Sequence, residues 1–439
     1  MSIRRLAWLA LTLMAVSAWA VSAMAIDPPP DEATANRSDY LYSPDEAIEL
    51  FELRTKVNPR DYTSLTTLGD LYEKKARETD DLAFYAKAEA VLRRSLEIFP
   101  DSAKTKVALA VVLGDRHKFA ESLAMGESVL KASPRSVDAL ATVGDAQLEL
   151  GRYDDAEQSF RALVARLPGS GPALARLAHL EELKGKTESS ISMFHQAIDS
   201  LRKAGETKPG LAWYEVRLAD ILFNAGRVAE AEAIYVAVLK DVPKQHDATY
   251  GLARVRASQN KTAEAIELAK AAVAIGPDAP MLATLGDLFA LHGEADRAQA
   301  VYNRIETQTS SQPEHTRVLA NFYSDYGRNL PRALELARDE LIRRQDIYGH
   351  DALAWALLKN GHPAEASVAM ANALKLGTKD ARLFYHVGMI QHALGDQIKA
   401  RDFLNRALAL NPNFSLRDAA DARRTLKAIE ADATPKAPR

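Results

Sequence analysis

The stretch "ATVGDAQLELGRYDDAEQSFRALVARLP", residues 141–168, decides the fold of this 439-residue chain, because its pattern recurs along almost the whole sequence. A fixed internal period of roughly 20–50 residues indicates an array of stacked structural units. Two independent markers share one interval of 34 residues here: Pro100, Pro134 and Pro168, and then Gly293, Gly327, Gly361 and Gly395.

Ten units align when each is numbered so that its closing proline falls at place 32. The register needs about seven extra residues in the first and fourth units and a one-residue adjustment near Leu330. Place 7 is Leu or Val in every unit. Small residues hold two further places: place 8 is Gly69, Ala110, Gly144, Ala178, Ala219, Ala253, Gly286, Ala320, Ala354 and Gly388, and place 20 is Ala88, Ser122, Ala156, Ser190, Ala231, Ala265, Ala298, Ala333, Ala366 and Ala400.

These places predict two packed helices in each unit. Gly or Asn near place 15 suits the left-handed residue that follows the end of a helix. Small residues at places 8 and 20 let two helix axes approach closely, and bulky residues at place 24, such as Phe160 and Tyr302, fill the remaining space between the two helices. The proline at place 32 stops the second helix. The prediction is an all-α chain of helix-turn-helix units.

The motifs "LGDLY" (68–72), "GRYDDAEQSF" (151–160) and "ALALNP" (407–412) resemble the tetratricopeptide repeat, whose pattern of Leu-Gly-x-x-Tyr, Ala, an aromatic residue and Pro spans 34 residues. The resemblance covers roughly residues 44 to 431. It implies a right-handed superhelical solenoid of helix-turn-helix repeats with capping helices. It also implies that the first helix of each repeat, helix A, lines a concave groove that binds a peptide or a protein.

The two ends of the array differ from its middle. Ser43 is a predicted N-cap with Pro44 in the first turn of a covering helix, and the amphipathic stretch near the C-terminus suits a terminal cap. We therefore expect a signal peptide at 1–25, a flexible segment at 26–42, a capping helix at 43–61, about ten repeats at 62–414, a capping helix at 415–431 and a flexible tail at 432–439.

The N-terminus predicts export. Arg4 and Arg5 precede an apolar run at 6–21, and Ala23 and Ala25 form a small-residue cleavage site. The chain has no cysteine, whereas secreted eukaryotic proteins of this size often carry disulfides. The prediction is an exported protein of a bacterial periplasm, with no membrane span after cleavage; the alternative is an anchor formed by an uncleaved N-terminal segment.

The sequence contains no recognisable catalytic or metal-binding motif. The net charge of −3 gives no reason to expect nucleic acid as a partner. His386 and His392 are six residues apart and so lie on different faces of a helix. "KGKT" at 184–187 lacks the first glycine of a phosphate loop. We therefore expect no enzyme activity, no cofactor and no metal.

A predicted inner stripe runs along each helix A through places 2, 5, 9, 12 and 13, which share one helical face. Acidic residues recur at place 9 in alternate repeats and form an acidic ladder for a basic or amide-rich chain; the alternative is ordinary solvated helix surface. Aromatic residues join the stripe towards the C-terminus, where packing between neighbouring helices is the alternative. The candidate partner-binding residues of the groove are Asp145, Asp220, Arg254, Asp287, Arg317, Asn321, Trp355 and Tyr385.

The sequence thus predicts a non-catalytic periplasmic scaffold or adaptor that binds an extended peptide or a partner protein. Two alternatives remain. One is a periplasmic component of polysaccharide export or envelope assembly that contacts carbohydrate. The other is an enzyme with a site that shows no motif.

Overall fold

A computed structural model describes residues 43–79, 81–309 and 316–433, and these residues form helices with no strand among them. The predicted signal peptide (1–25) and flexible segment (26–42) lie outside the described residues, as does the predicted tail except for its first two residues. The helices are α1 Pro44–Val57, α2 Tyr62–Thr79, α3 Ala83–Ile98, α4 Ala103–Asp115, α5 Phe119–Ala132, α6 Val137–Glu149, α7 Tyr153–Arg166, α8 Gly171–Leu183, α9 Thr187–Lys203, α10 Lys208–Asn224, α11 Val228–Asp241, α12 His246–Ser258, α13 Thr262–Ile275, α14 Ala279–Leu291, α15 Ala295–Thr309, α16 Thr316–Tyr326, α17 Leu330–Arg343, α18 Ile347–Lys359, α19 Pro363–Ala373, α20 Ala381–Ala393, α21 Gln397–Leu410 and α22 Asp418–Ala433.

Consecutive helices pair as hairpins, which gives ten repeats from α2 and α3 to α20 and α21. The first helix of each pair is helix A and the second is helix B. The described chain divides into two compact units at Pro168 and Gly169. The N-terminal unit holds α1 and repeats 1–3, and the C-terminal unit holds repeats 4–10 and α22. The prediction of an all-α helical-repeat architecture is confirmed.

Each hairpin turns through a left-handed residue at place 15. From repeat 2 to repeat 10 this place has a positive φ, and seven of the nine residues are glycine. The two others are His117 at 57° and Asn260 at 60°. In repeat 3, Gly151 N donates to Leu148 O (3.0 Å) and Arg152 N donates to Gln147 O (2.9 Å). These bonds satisfy the last carbonyls of helix A and end it.

Helices A and B meet where both carry small residues. The alanines and serines at places 8 and 20 are at most 3% exposed in every repeat. A Cβ atom added to Gly144 would lie 2.5 Å from Cε1 of Phe160, the residue at place 24 of the same repeat. Gly69, Gly286 and Gly388 face their own place-24 residues in the same way. The predicted close contact between helices A and B is therefore present in the structure.

Both ends of the described array are covered by helices. In α1, Ser43 Oγ accepts from Glu46 N (3.3 Å) while Ser43 N donates to Glu46 Oε2 (2.7 Å), which is a capping box. Phe51 then packs into the core of repeat 1. At the other end, α22 buries Ala422 and Leu426 against repeat 10. Each cap shields an apolar face that another repeat covers elsewhere.

The close contact between helices A and B at places 8 and 20 generates a stability prediction. Gly144→Ala should lower the free energy of unfolding by about 1–3 kcal/mol, because the added methyl group must displace the Phe160 ring. Gly114→Ala is the matched control: it lies in a helix A of the same unit, and its added Cβ would meet only Ser122 Oγ at 3.7 Å. Chemical denaturation followed by circular dichroism measures both variants. Equal stability of the two variants would contradict the close packing of Gly144 against Phe160.

Candidate functional site

Helices A form the inner layer of each unit. Within the N-terminal unit, α2 contacts α4 and α4 contacts α6, and within the C-terminal unit α16 contacts α18 and α18 contacts α20. The inner stripe at places 2, 5, 9, 12 and 13 therefore forms one surface in each unit. This surface is the candidate site, because it holds all eight predicted partner-binding residues.

In the N-terminal unit the inner stripe is acidic and largely buried. Asp145 is buried at place 9 of repeat 3. Burial raises the pKa of Asp70, at place 9 of repeat 1, to about 7, although Lys104 opposes the shift. Glu73 lies on the same helix and pairs with Arg77 Nη2 at 2.5 Å. Burial therefore holds the carboxyl group of Asp70 partly protonated near neutral pH.

Asp220 and Arg254 occupy place 9 of repeats 5 and 6 and bind each other. Arg254 Nη1 donates to Asp220 Oδ1 at 3.2 Å, and Tyr235 Oη donates to the same oxygen at 2.8 Å. Arg254 also donates to Asn224 Oδ1 (2.9 Å), and its guanidinium lies 4.1 Å from the centre of the Phe223 ring. Asp220 is buried, whereas Arg254 remains partly exposed.

Asp287, at place 9 of repeat 7, accepts two phenol hydrogen bonds. Tyr302 Oη and Tyr326 Oη both lie 2.8 Å from its Oδ1. Burial raises the pKa of Asp287 to about 6, and the nearby guanidinium of Arg417 limits the rise. The residue as a whole is only partly buried. Its carboxylate is held in place by Tyr302 of its own repeat and by Tyr326 of the next.

Arg317 and Asn321 lie on the same helix but in different environments. Arg317 is 4% exposed, and its Nη1 lies 2.8 Å from each carboxylate oxygen of Asp346. Burial alone would raise the pKa of Asp346, but Arg317 and Arg344 hold it below its usual value. Asn321 is partly exposed, and its side chain makes no hydrogen bond within the part of the chain that the structure describes.

Trp355 and Tyr385 lie side by side in the core of the last repeats. Trp355 is 1% exposed, its Nε1 donates to Asp325 Oδ1 (2.8 Å), and its ring stacks on His386 at 4.0 Å. Tyr385 Oη donates to Asp421 Oδ2 at 2.8 Å. The rings of Trp355 and Tyr385 are 5.6 Å apart. Both aromatic residues pack against neighbouring helices.

Sequence reasoning missed several polar residues of this surface. His386 Nδ1 lies 2.7 Å from Asp351 Oδ1, and both residues are buried. Arg382 Nη2 donates to Asp325 Oδ2 at 2.6 Å, across two repeats. Asp325 and Asp351 do lie on the inner stripe, at places 13 and 5, so the stripe itself was the signal that would have found them. Arg417 precedes α22 and has no such signal.

Two further properties of the described residues bear on metal binding and on membrane insertion. No three His, Asp or Glu side chains among them converge as a metal-binding group would require. None of the helices that the structure describes combines the length and apolarity needed to cross a bilayer.

Comparison with known proteins gives a match to one family model and to two bacterial relatives. The family model described as "Tetratricopeptide repeat" matches residues 107–171, 216–280 and 352–413. The chain is similar to cellulose synthase operon protein C of Pseudomonas fluorescens, with 24% identity over 65% of this chain and 27% of the relative. It is also similar to cellulose synthase operon protein C of Komagataeibacter xylinus, with 26% identity over 64% of this chain and 21% of the relative. The chain thus spans about a quarter of the length of these relatives.

Among solved structures, the chain is similar to a tetratricopeptide repeat protein from Parabacteroides merdae. The identity is 17%, the match covers 54% of this chain and 92% of the other, and the TM-score is 0.41.

The environment of Asp287 generates a prediction of pH dependence. Because its folded pKa of about 6 exceeds its usual value of 3.8, the folded state holds a proton between these values that the unfolded chain releases. This contribution to stability is complete below pH 4 and is lost as the pH rises to 6, by about 2–3 kcal/mol. In Asp287→Asn this loss should be absent. Denaturation at pH 4, 5, 6 and 7 measures both proteins, and parallel curves would contradict the assignment.

Proposed function

We propose that this chain, which belongs to the tetratricopeptide repeat family, is a non-catalytic scaffold that holds an extended segment of a partner protein against the inner face of its repeats. The family's fold supports an interaction role. The scaffold assignment rests on one observation in particular: place 9 of three consecutive repeats carries three chemically different polar residues, none of which is fully buried. These are Arg254, Asp287 and Asn321.

These three groups suit an extended peptide. An extended main chain offers carbonyl acceptors and N–H donors at regular intervals, and an amide side chain both donates and accepts. Asn321 is the strongest candidate, because its amide has no hydrogen bond within the described residues. Arg254 and Asp287 already have intramolecular partners, which fix their positions in advance of binding. Preorganised groups lose less entropy when a ligand binds.

The other candidate residues have a supporting part in this proposal. Asp145, Asp220, Arg317, Trp355 and Tyr385 are buried. In the C-terminal unit, the last four hold the helices A at fixed spacing through their ion pair, hydrogen bonds and ring contacts. We propose that they shape the inner face, and that direct contact with a partner falls mainly on the exposed groups at place 9.

We place the protein outside the cytoplasm, in the periplasm of a bacterium. The basic and apolar N-terminal pattern and the lack of cysteine support this location. The two bacterial relatives are cellulose synthase operon proteins, which is compatible with a role at the cell envelope.

A second candidate function is contact with a polysaccharide. The names of the two bacterial relatives favour it. Trp213, at place 2 of repeat 5, keeps some exposure and packs edge-on against Tyr214. A flat indole held in this way offers a surface on which a sugar ring stacks. Protein and sugar partners are distinguished by experiment.

The protein-partner proposal predicts contact at Asn321. A photo-cross-linking amino acid at position 321 should give one discrete protein adduct in the cell that makes this chain. The same group at Asn372, exposed on a helix B, should not. Asn321→Ala should then weaken binding of the identified partner by roughly tenfold, since an unpaired main-chain group costs about 1–3 kcal/mol. Equal cross-linking at both positions, or unchanged affinity, would reject the inner face as the binding surface.

The sugar proposal predicts contact at Trp213. If the second candidate is right, cello-oligosaccharides should bind the purified chain in calorimetric titration, and Trp213→Ala should abolish binding because the stacking surface is lost. Trp355→Phe serves as the comparison, because Trp355 is buried and should leave binding unchanged. If the parent protein releases no heat with cello-oligosaccharides, this candidate is excluded.

A further inference from the structure

The C-terminal unit closes on itself through residues far apart in sequence. Asn411, which follows the last helix B, is fully buried, and its Nδ2 donates to Phe223 O at 2.7 Å. Thr378, between repeats 9 and 10, donates through its hydroxyl to Leu183 O. These partners are 188 and 195 positions apart, which is more than five repeats of 34 residues. One turn of the coil therefore rests directly on an earlier turn.

Two glycines show how close the turns lie. A Cβ atom on Gly226 would lie 2.5 Å from Leu410 O, and one on Gly185 would lie closer still to Gly377 O. Both glycines occupy place 15, where φ is positive in any case. Gly327 and Gly361 occupy the same place with similar φ values, yet an added Cβ there would have nothing within 4 Å. Only close approach of the later chain distinguishes the first pair from the second.

The start of the C-terminal cap extends the same contact. Asn413 Nδ2 lies 3.4 Å from Ser258 O, in repeat 6. Arg417 donates to Asp325 O in repeat 8. The guanidinium of Arg417 also lies 4.1 Å from the centre of the Tyr326 ring. The seam, defined as the contacts of residues 377–378 and 410–417 with repeats 4, 5, 6 and 8, therefore has four separate points of attachment.

Most contacts of the seam are polar. Its long-range hydrogen bonds join single side chains to main-chain carbonyls, and each such bond contributes only about 0.5–1.5 kcal/mol net. At Gly185 and Gly226 the chain packs backbone against backbone, and Leu416 adds one partly buried apolar side chain. Contacts that are mainly polar permit relative motion more readily than an apolar core does.

The seam also accompanies burial of the inner face. Ser324 lies on the inner stripe at place 12 of repeat 8, is fully buried, and its hydroxyl has no hydrogen bond in the described structure. Trp355, on the next repeat, is almost fully buried as well.

We propose that the seam is a self-inhibitory clasp: its closed form restricts access to the inner face of the C-terminal unit, where Arg254, Asp287 and Asn321 keep only part of their surface exposed, and its opening admits an extended partner chain from the side. The biological meaning of the clasp rests on the proposed scaffold function. Its existence does not, because opening is measured without any partner. If the seam does not open, the scaffold proposal is unaffected, and the cross-link at Asn321 tests that proposal separately.

Spin labels test whether the seam opens. The chain has no cysteine, so cysteines introduced at Lys186 and Lys379 carry the only labels; both positions are exposed and flank the Gly185 contact. In the parent protein we expect one short distance. Gly185→Ala with Gly226→Ala should shift the distribution to longer distances. Gly293→Ala with Gly361→Ala is the matched control: both glycines occupy place 15 with positive φ, and an added Cβ would have nothing within 4 Å. This variant imposes the same backbone strain away from the seam and should leave the short distance unchanged.

A thiol on the inner face tests whether opening gives access. Ser324→Cys replaces a buried hydroxyl with a thiol of similar size. We expect its alkylation to be at least tenfold faster in the Gly185/Gly226 variant than in the Gly293/Gly361 control. Thr378→Val, which removes the donor to Leu183 O without backbone strain, should accelerate alkylation if the glycine variant does not fold. A broad label distribution in the parent protein, or equal distances and alkylation rates in seam and control variants, would overturn the clasp.

Discussion

Two helix axes approach closely only where no bulky side chain stands between them, and every hairpin of this protein depends on that condition at places 8 and 20. In repeat 3, Gly144 leaves room for the ring of Phe160, and Ala156 is fully buried beside it. In repeat 7, Gly286 and Tyr302 repeat the arrangement. The small residues set the distance between the helices, and the residue at place 24 fills the space that remains. Each repeat can then stack on the next.

Stacking brings polar side chains of helices A together on the inner face, and burial there requires that they find partners. The structure meets much of this requirement between repeats. Arg317 binds Asp346 of the following repeat, and Trp355 donates to Asp325 of the preceding one. Removing one member of such a buried charged pair usually costs more than the pair itself contributes. The inner face is therefore both a candidate recognition surface and a set of structural ties.

Access to the inner face and closure of the seam conflict with each other. A recognition surface must be reachable, whereas the C-terminal unit packs later repeats onto earlier ones through Thr378, Asn411 and Arg417. Hydrogen bonds to main-chain carbonyls reconcile the two, because they specify the position of the closed turn with little apolar contact. In this closed state Arg254 and Asn321 keep only part of their surface exposed.

The sequence by itself determined the architecture, because the 34-residue period repeats local requirements that each unit satisfies alone. Place 15 is left-handed from repeat 2 to repeat 10, including at His117 and Asn260, since the end of helix A demands it. Helical periodicity also predicted that the stripe residues share one face of each helix A. Only the tertiary structure decided which stripe residues are buried and which are exposed. Asp220 and Asp287 share place 9, yet each takes one partner from its own repeat and one from the next, and Asp287 also lies near Arg417 before the last helix. Such contacts depend on the curvature of the stack, which accumulates small rotations over many repeats and leaves no signature within any one of them.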